Sequence, residues 1–140
     1  MFTYRMQVRL KSTDATGVLY FSEQFKMALE VFEEFLKARG FSLKKLLESA
    51  YLMPIVHAEA DYLAPLMVGD ELEVELKVSK IGTSSVTLSY VFYDIVRKID
   101  VGTVKIVHVV VERQNKTSVP IPDFLRTILE GEFGNSISGG

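Results

Sequence analysis

The chain has 140 residues, 48% of them hydrophobic, enough for one well-buried domain and too few to divide comfortably into two. A formal charge of -2, with lysine and arginine scattered along the chain, gives no electrostatic basis for binding nucleic acid. Cysteine is absent, which excludes a disulfide framework, a thiolate metal site and a cysteine nucleophile and fits a cytoplasmic location.

Met1 to Arg5 alternates like a strand and lacks the basic start and apolar run of a signal peptide; no segment is long and apolar enough to span a bilayer as a helix. Residues 3–10 place Tyr4, Met6, Val8 and Leu10 on one face and Thr3, Arg5, Gln7 and Arg9 on the other, the pattern of a half-buried strand. A turn marked by Asp14 and Gly17 follows, and Ser22 offers a capping side chain for a helix to Ala38, ended by Arg39 and Gly40. At about 100° per residue, Phe25, Ala28, Leu29, Phe32, Phe35 and Leu36 share one face, which Met27 and Val31 widen to roughly 200°. So wide a stripe predicts a central helix with a sheet curled around it. The narrow polar arc is acidic, with Glu23, Glu30, Glu33 and Glu34 beside Lys26 and Lys37.

Ser42 can cap a second short helix, Leu43 to Ser49, and Pro54 starts the next extended segment, Ile55 to Tyr62. Residues 71–78 alternate clearly, with Leu72, Val74, Leu76 and Val78 opposite Glu71, Glu73, Glu75 and Lys77. After Gly82 the alternation resumes with Val86, Leu88, Tyr90 and Phe92. A turn at Arg97 to Asp100 leads to a strand from Gly102 to Glu112 that is apolar on both faces in its second half, as in a central strand or a subunit contact. Pro120 and Pro122 introduce a last helix, Asp123 to Glu130, stopped by Gly131. Short connections predict antiparallel neighbours, hence an α+β domain over 1–130 with one helix on a curved sheet. Residues 131–140, rich in glycine and serine, read as a flexible tail.

Of the residues able to do chemistry, Asp14 stands out, because a carboxylate can act as nucleophile or general base and the helix after it presents free backbone N–H groups that stabilise an oxyanion. That combination suits acyl transfer to water. His57 and His108 lie far apart on separate strands without cysteine, and no phosphate-cradling glycine loop or serine-nucleophile elbow occurs. His108 shares a face with Val104, Ile106 and Val110 and reads as a satisfied core histidine.

Asp14-Ala15-Thr16-Gly17-Val18-Leu19-Tyr20-Phe21, after a strand and before a long helix, resembles the Asp-x-x-Gly-(Ile/Val)-x-(Tyr/Trp) signature of the 4-hydroxybenzoyl-CoA thioesterase family, whose fold is the hotdog. The derived element order is similar to that fold over roughly residues 3–130. The resemblance implies that Asp14 is the catalytic carboxylate and that the Phe21 backbone N–H points at the thioester oxygen. It further implies an acyl-CoA substrate, no metal or redox cofactor, and a homodimer or homotetramer with the active site at a subunit interface. Pro54 to Ala58, then Asp61 to Pro65 and Gly69-Asp70, with Phe21 and the Glu30, Glu33, Glu34 cluster, resemble the 1,4-dihydroxy-2-naphthoyl-CoA thioesterases within that family. Ser12 departs from the pattern, since many relatives carry a second acid at that position.

Further expectations attach to particular residues. Gly17 serves the backbone beside a substrate, Tyr20 and His57 are candidate substrate contacts, and Thr83, Ser84 and Ser85 begin a strand where the family often lays the pantetheine arm. Glu30 or Glu33 is the alternative carboxylate, since some hotdog thioesterases carry their acid on the central helix. Two other functions fit the same features: hydrolysis of a thioester on an acyl carrier protein, and non-catalytic acyl binding.

Overall fold

The structure is a computed structural model that describes residues 1–131 and 138–139. In chain order the elements are β1 (Phe2–Gln7), a 3-10 turn (Leu10–Ser12), α1 (Glu23–Ala38), α2 (Leu43–Glu48), β2 (Tyr51–Leu52), β3 (Ile55–Tyr62), β4 (Glu71–Ile81), β5 (Ser85–Asp94), β6 (Ile99–Val109), β7 (Val111–Glu112), α3 (Asp123–Glu130) and β8 (Ser138–Gly139). Six strands form one sheet in the order β3-β6-β5-β4-β1-β8, and β2 pairs with β7 separately. The remaining tail residues, on which most of the expected flexible segment falls, lie outside the described residues.

The alternation of β4 and β5 turns Leu72, Val74, Leu76, Val86, Leu88 and Phe92 to one buried face, as their period requires. Against it α1 buries Met27, Ala28, Val31, Phe32, Phe35 and Leu36, each large side chain contributing about 1.5–3 kcal/mol of transfer free energy. Phe2 meets Phe35 edge to face at 5.8 Å. The helix is therefore central and the architecture is the α+β hotdog.

Several details differ from the sequence reading. The first strand ends at Gln7, and Leu10 is exposed in the 3-10 turn that follows. Ser22 already has helical φ and ψ, so its hydroxyl makes no cap bond. Leu29 is 39% exposed, whereas Gln24 is fully buried. The Gln24 side chain reaches β6, where Nε2 donates to the Thr103 carbonyl at 3.3 Å. A Cβ on Gly102 would lie 2.5 Å from that same nitrogen, so glycine allows the first turn of α1 to dock.

The largest departure concerns β3. It does not pair with its sequence neighbour β4 but with β6, antiparallel, from Ile55↔His108 to Tyr62↔Gly102. Residues 63–70 thus cross from one side of the sheet to the other. Arg97 holds this crossover, donating from Nη2 to the Pro65 carbonyl at 2.9 Å and to Asp70 Oδ2 at 3.3 Å. Asp94, buried in the β5–β6 hairpin, orients the guanidinium by accepting from Arg97 Nε at 2.8 Å. The backbone N–H of Arg97, followed by its side chain, holds the Asp94 carboxyl below the usual aspartate value.

Candidate active site

The loop before α1 is built by short hydrogen bonds of its own. Asp14 Oδ1 accepts from the Thr16 N–H at 2.8 Å, the Thr16 hydroxyl at 2.6 Å and the Val18 N–H at 3.2 Å. The Thr16 hydroxyl first, then the Thr16 N–H, lowers the Asp14 pKa below the ordinary aspartate value, so the carboxylate is ionised at neutral pH. Oδ2 accepts no hydrogen bond among the described residues, which leaves one oxygen able to react. The Gly17 N–H closes the turn onto the Asp14 carbonyl at 3.0 Å, and Gly17 has φ +82°, a conformation that strains any side-chain-bearing residue.

The crossover braces this loop like a short extra strand. Leu19 N–H donates to Leu66 O at 2.8 Å and Val68 N–H donates to Gly17 O at 2.9 Å. Pairing of loop 14–19 with residues 66–68 was not visible in the sequence, because neither segment alternates. The chain from Asp94 through Arg97 to the crossover therefore ends at the peptide that holds Asp14.

Downstream, the Tyr20–Phe21 peptide is fixed from both sides. Tyr20 N–H donates to Ser12 O, and Glu23 N–H donates to Tyr20 O, both at 3.0 Å. A trans peptide points its N–H opposite to its carbonyl, so the Phe21 N–H is turned away from the helix. It has no acceptor among the described residues. The Tyr62 hydroxyl donates to the Phe21 carbonyl and anchors the next peptide too. Phe21 itself is 71% exposed. A pocket of about 400 Å³ opens here, lined by Val18, Phe21, Gln24, Tyr62, Pro65 and Leu66. Ser12, which replaces an expected acid, hydrogen-bonds Glu23, and together with the Lys26 ammonium, which acts first, it lowers the Glu23 pKa. An acid at position 12 would meet that carboxylate with like charge.

A larger cavity, about 840 Å³, lies farther along α1 and is mainly apolar, with Leu29, Phe32, Leu46, Met53 and His108 in its wall and Glu30 and Glu33 at its polar side. Leu29, exposed on a helix whose other large apolar residues are mostly covered, contributes to this wall. His108 is buried at 4% exposure, as read from its strand face, yet it is only half satisfied. Its Nδ1 bonds the Met53 carbonyl at 2.9 Å while Nε2 has no partner among the described residues.

Among the sequence candidates, Asp14, Gly17, Tyr20 and Phe21 are held together on one loop. Tyr20 is exposed and lines neither of these cavities. His57 is exposed on β3, bonded to Glu59 Oε1 at 2.8 Å, and also lines neither. Thr83, Ser84 and Ser85 lie at the start of β5, whereas the Asp14 loop adjoins its other end. A strand of that length spans roughly 30 Å, so one chain does not bring these groups into one site. The sequence gives no individual role to Thr16, Gln24, Tyr62 or the crossover, although the motifs quoted above include Thr16, Tyr62 and part of the crossover. For Thr16 the signal was present, since a threonine two residues after an aspartate favours this hydrogen-bonded turn.

The profile of the thioesterase-like superfamily matches residues 8–129. The chain is 34% identical to a 1,4-dihydroxy-2-naphthoyl-CoA hydrolase of Nostoc punctiforme over 92% of its own length and 86% of the relative's. It is 30% identical to the enzyme of that name from Synechococcus elongatus, covering 92% of this chain and 95% of the other. Its fold superposes with a TM-score of 0.88 on the crystal structure of a 1,4-dihydroxy-2-naphthoyl-CoA thioesterase from Synechocystis, at 27% identity, covering 94% of this chain and 97% of that one.

Proposed function

The chain belongs to the thioesterase-like superfamily, and from that premise we propose that it hydrolyses 1,4-dihydroxy-2-naphthoyl-CoA to the free acid and CoA, with Asp14 and the Phe21 N–H as the working groups. Thioester hydrolysis is the activity named for its relatives. The observation that carries the assignment to these residues is that an ionised carboxylate with one uncommitted oxygen and an unpaired, oriented N–H are fixed on a single braced loop. Asp14 Oδ2 either attacks the thioester carbon or takes a proton from the attacking water, and the Phe21 N–H donates to the carbonyl oxygen as negative charge develops there. Collapse of the tetrahedral intermediate expels the CoA thiolate, which leaves as the thiol after protonation. In the nucleophilic route water then cleaves the acyl-aspartate anhydride.

The loop and the larger cavity are separated within one chain, and β3 supplies the means to join them. It is an edge strand exposed along most of its length, with Ile55 at 44% and Val56 at 61%, and among the described residues its outer backbone groups face no strand. Antiparallel pairing of β3 with its copy would set the Tyr62 end of one strand against the Ile55 end of the other, and so one subunit's loop against the other's cavity. The proposed unit is therefore a homodimer, alone or within a homotetramer, with acyl-CoA bound between subunits in the cytoplasm.

Glu30 and Glu33 line the larger cavity whereas Asp14 lines neither pocket, which favours one of them as the second reading of the acid. A thioester panel with benzoyl-, naphthoyl-, 1,4-dihydroxy-2-naphthoyl- and long-chain acyl-CoA, plus an acyl carrier protein thioester, tests the proposal. The dihydroxynaphthoyl ester is expected to show the highest kcat/KM, and Glu33→Gln is expected to retain turnover. Cleavage of no member overturns the function, and loss of turnover in Glu33→Gln with retention in Asp14→Asn transfers the acid to the helix.

A further inference from the structure

His108 sits on β6 between Ile55 of β3 and Val86 of β5, with its ring stacked on Phe32 at 5.2 Å between centroids. A carbonyl only accepts, so the bond to Met53 O makes Nδ1 the N–H of the ring. Burial pushes the His108 pKa down, and the imidazole is neutral at neutral pH. Nε2 is consequently a lone-pair acceptor, closed to solvent and without a partner among the described residues, on a residue that belongs to the wall of the 840 Å³ cavity. Native structures rarely leave such an atom unmet without a reason.

We infer that this cavity takes the ring system of a hydroxylated aromatic acyl group and that His108 Nε2 accepts a hydrogen bond from a ring hydroxyl remote from the acyl carbonyl. The walls offered by Leu29, Phe32 and Leu46 suit a flat apolar ring, and the cavity volume exceeds that of a naphthalene. A hydroxyl beside the carbonyl bonds to that carbonyl internally and is unavailable, which leaves a hydroxyl elsewhere on the ring. Met53, whose carbonyl holds Nδ1, also lines the cavity, and its unbranched thioether chain is a wall that can shift to admit a ring. Because folding has already stripped Nε2 of water, a ligand hydroxyl gains its bond without any further desolvation of the protein. A ring lacking that hydroxyl leaves the acceptor orphaned. The inference deepens the thioesterase reading by naming what selects the acyl group, yet its binding test does not depend on turnover.

Two free acids differ only in that hydroxyl: 1,4-dihydroxy-2-naphthoic acid and 1-hydroxy-2-naphthoic acid. Calorimetric titration of both into the full chain is expected to favour the dihydroxy acid by about tenfold or more. In His108→Asn the side-chain amide keeps a donor near Nδ1 for the Met53 carbonyl but has nothing at the Nε2 position, and the two acids are expected to bind alike. Nitrogen NMR of the wild-type imidazole supplies a readout that needs no variant, with the Nε2 resonance moving on addition of the dihydroxy acid and not of the monohydroxy acid. Equal affinities in the wild type, an unchanged preference in His108→Asn, or an unmoved Nε2 resonance would each overturn the inference. Preference without hydrolysis of any thioester sinks the functional proposal and leaves this one standing; hydrolysis without preference does the reverse.

Discussion

The approach to α1 and its middle turns are built on opposite principles. At its N-terminus the Asp14 to Phe21 loop is exposed or half-buried throughout, and hydrogen bonds donated by Thr16, Val18 and Tyr62 and accepted by the Leu66 and Ser12 carbonyls fix its atoms. Farther along, the cavity around Leu29, Phe32 and His108 is shaped by packing, and among the described residues the buried His108 Nε2 has no partner. Hydrogen bonds fix directions to within the tolerance that bond making needs, whereas packed walls fix volume. On the proposed function, the contrast places reaction at the loop and selection at the cavity.

The sharpest way to break that division is at Asp14. Asp14→Asn keeps an acceptor for Thr16 and removes the charge, so kcat is expected to fall about a thousandfold or more with the thermal midpoint little changed; steady-state kinetics beside a melting curve checks both. Tyr62→Phe removes the hydroxyl that holds the Phe21 carbonyl, and the expected loss is about tenfold in kcat with KM nearly constant. A change confined to KM would instead make Tyr62 part of the selecting region.

Thr16→Val probes how the loop tunes its acid. The hydroxyl stabilises the charged form of Asp14 and lowers its pKa, so its loss moves the acid limb of the kcat/KM profile to higher pH. The same sign governs stability: a depressed aspartate pKa contributes stability that is present above its unfolded value and lost as pH falls through the folded value. Valine is therefore expected to narrow the acid side of the stability profile as well. The smallest effect is at Gly17, where φ is +82° and Val68 Cγ1 would lie 3.6 Å from an added Cβ. Space is adequate there, so Gly17→Ala is expected to lose only the backbone term, about 1 kcal/mol in denaturant unfolding.

Much of this frame was legible in the sequence because it depends on local period. Leu72 to Val78 and Val86 to Phe92 announce their buried faces by alternation, and the stripe on α1 announces a central helix. Period assigns a face but not a neighbour. The pairing of β3 with β6, and with it the crossover that braces the loop, depends on contacts far apart in sequence. The exposure of Leu29, expected on the buried face, and the burial of Gln24, for which the sequence raised no expectation, have a related cause. A polar side chain can be buried where a carbonyl and a missing Cβ receive it, as at Thr103 and Gly102, and an apolar one stays open where it walls a cavity. The motif placed Asp14 and Phe21 together on one loop and the aspartate–threonine spacing could have marked Thr16, but nothing in the spacing of residues marked Tyr62 or the Nε2 atom of His108 as part of their surroundings.

The central claim is that the loop of one subunit works on the cavity of its copy, and subunit complementation tests it most directly. Asp14→Asn disables the loop and Leu29→Trp fills the cavity, so each variant alone is expected to be inactive. Co-expressed, they form mixed dimers in which one site combines an intact loop with an intact cavity. Random pairing then restores about a quarter of wild-type activity. Absence of any recovery, with mixed dimers demonstrated by mass, would contradict the account and return loop and cavity to one chain.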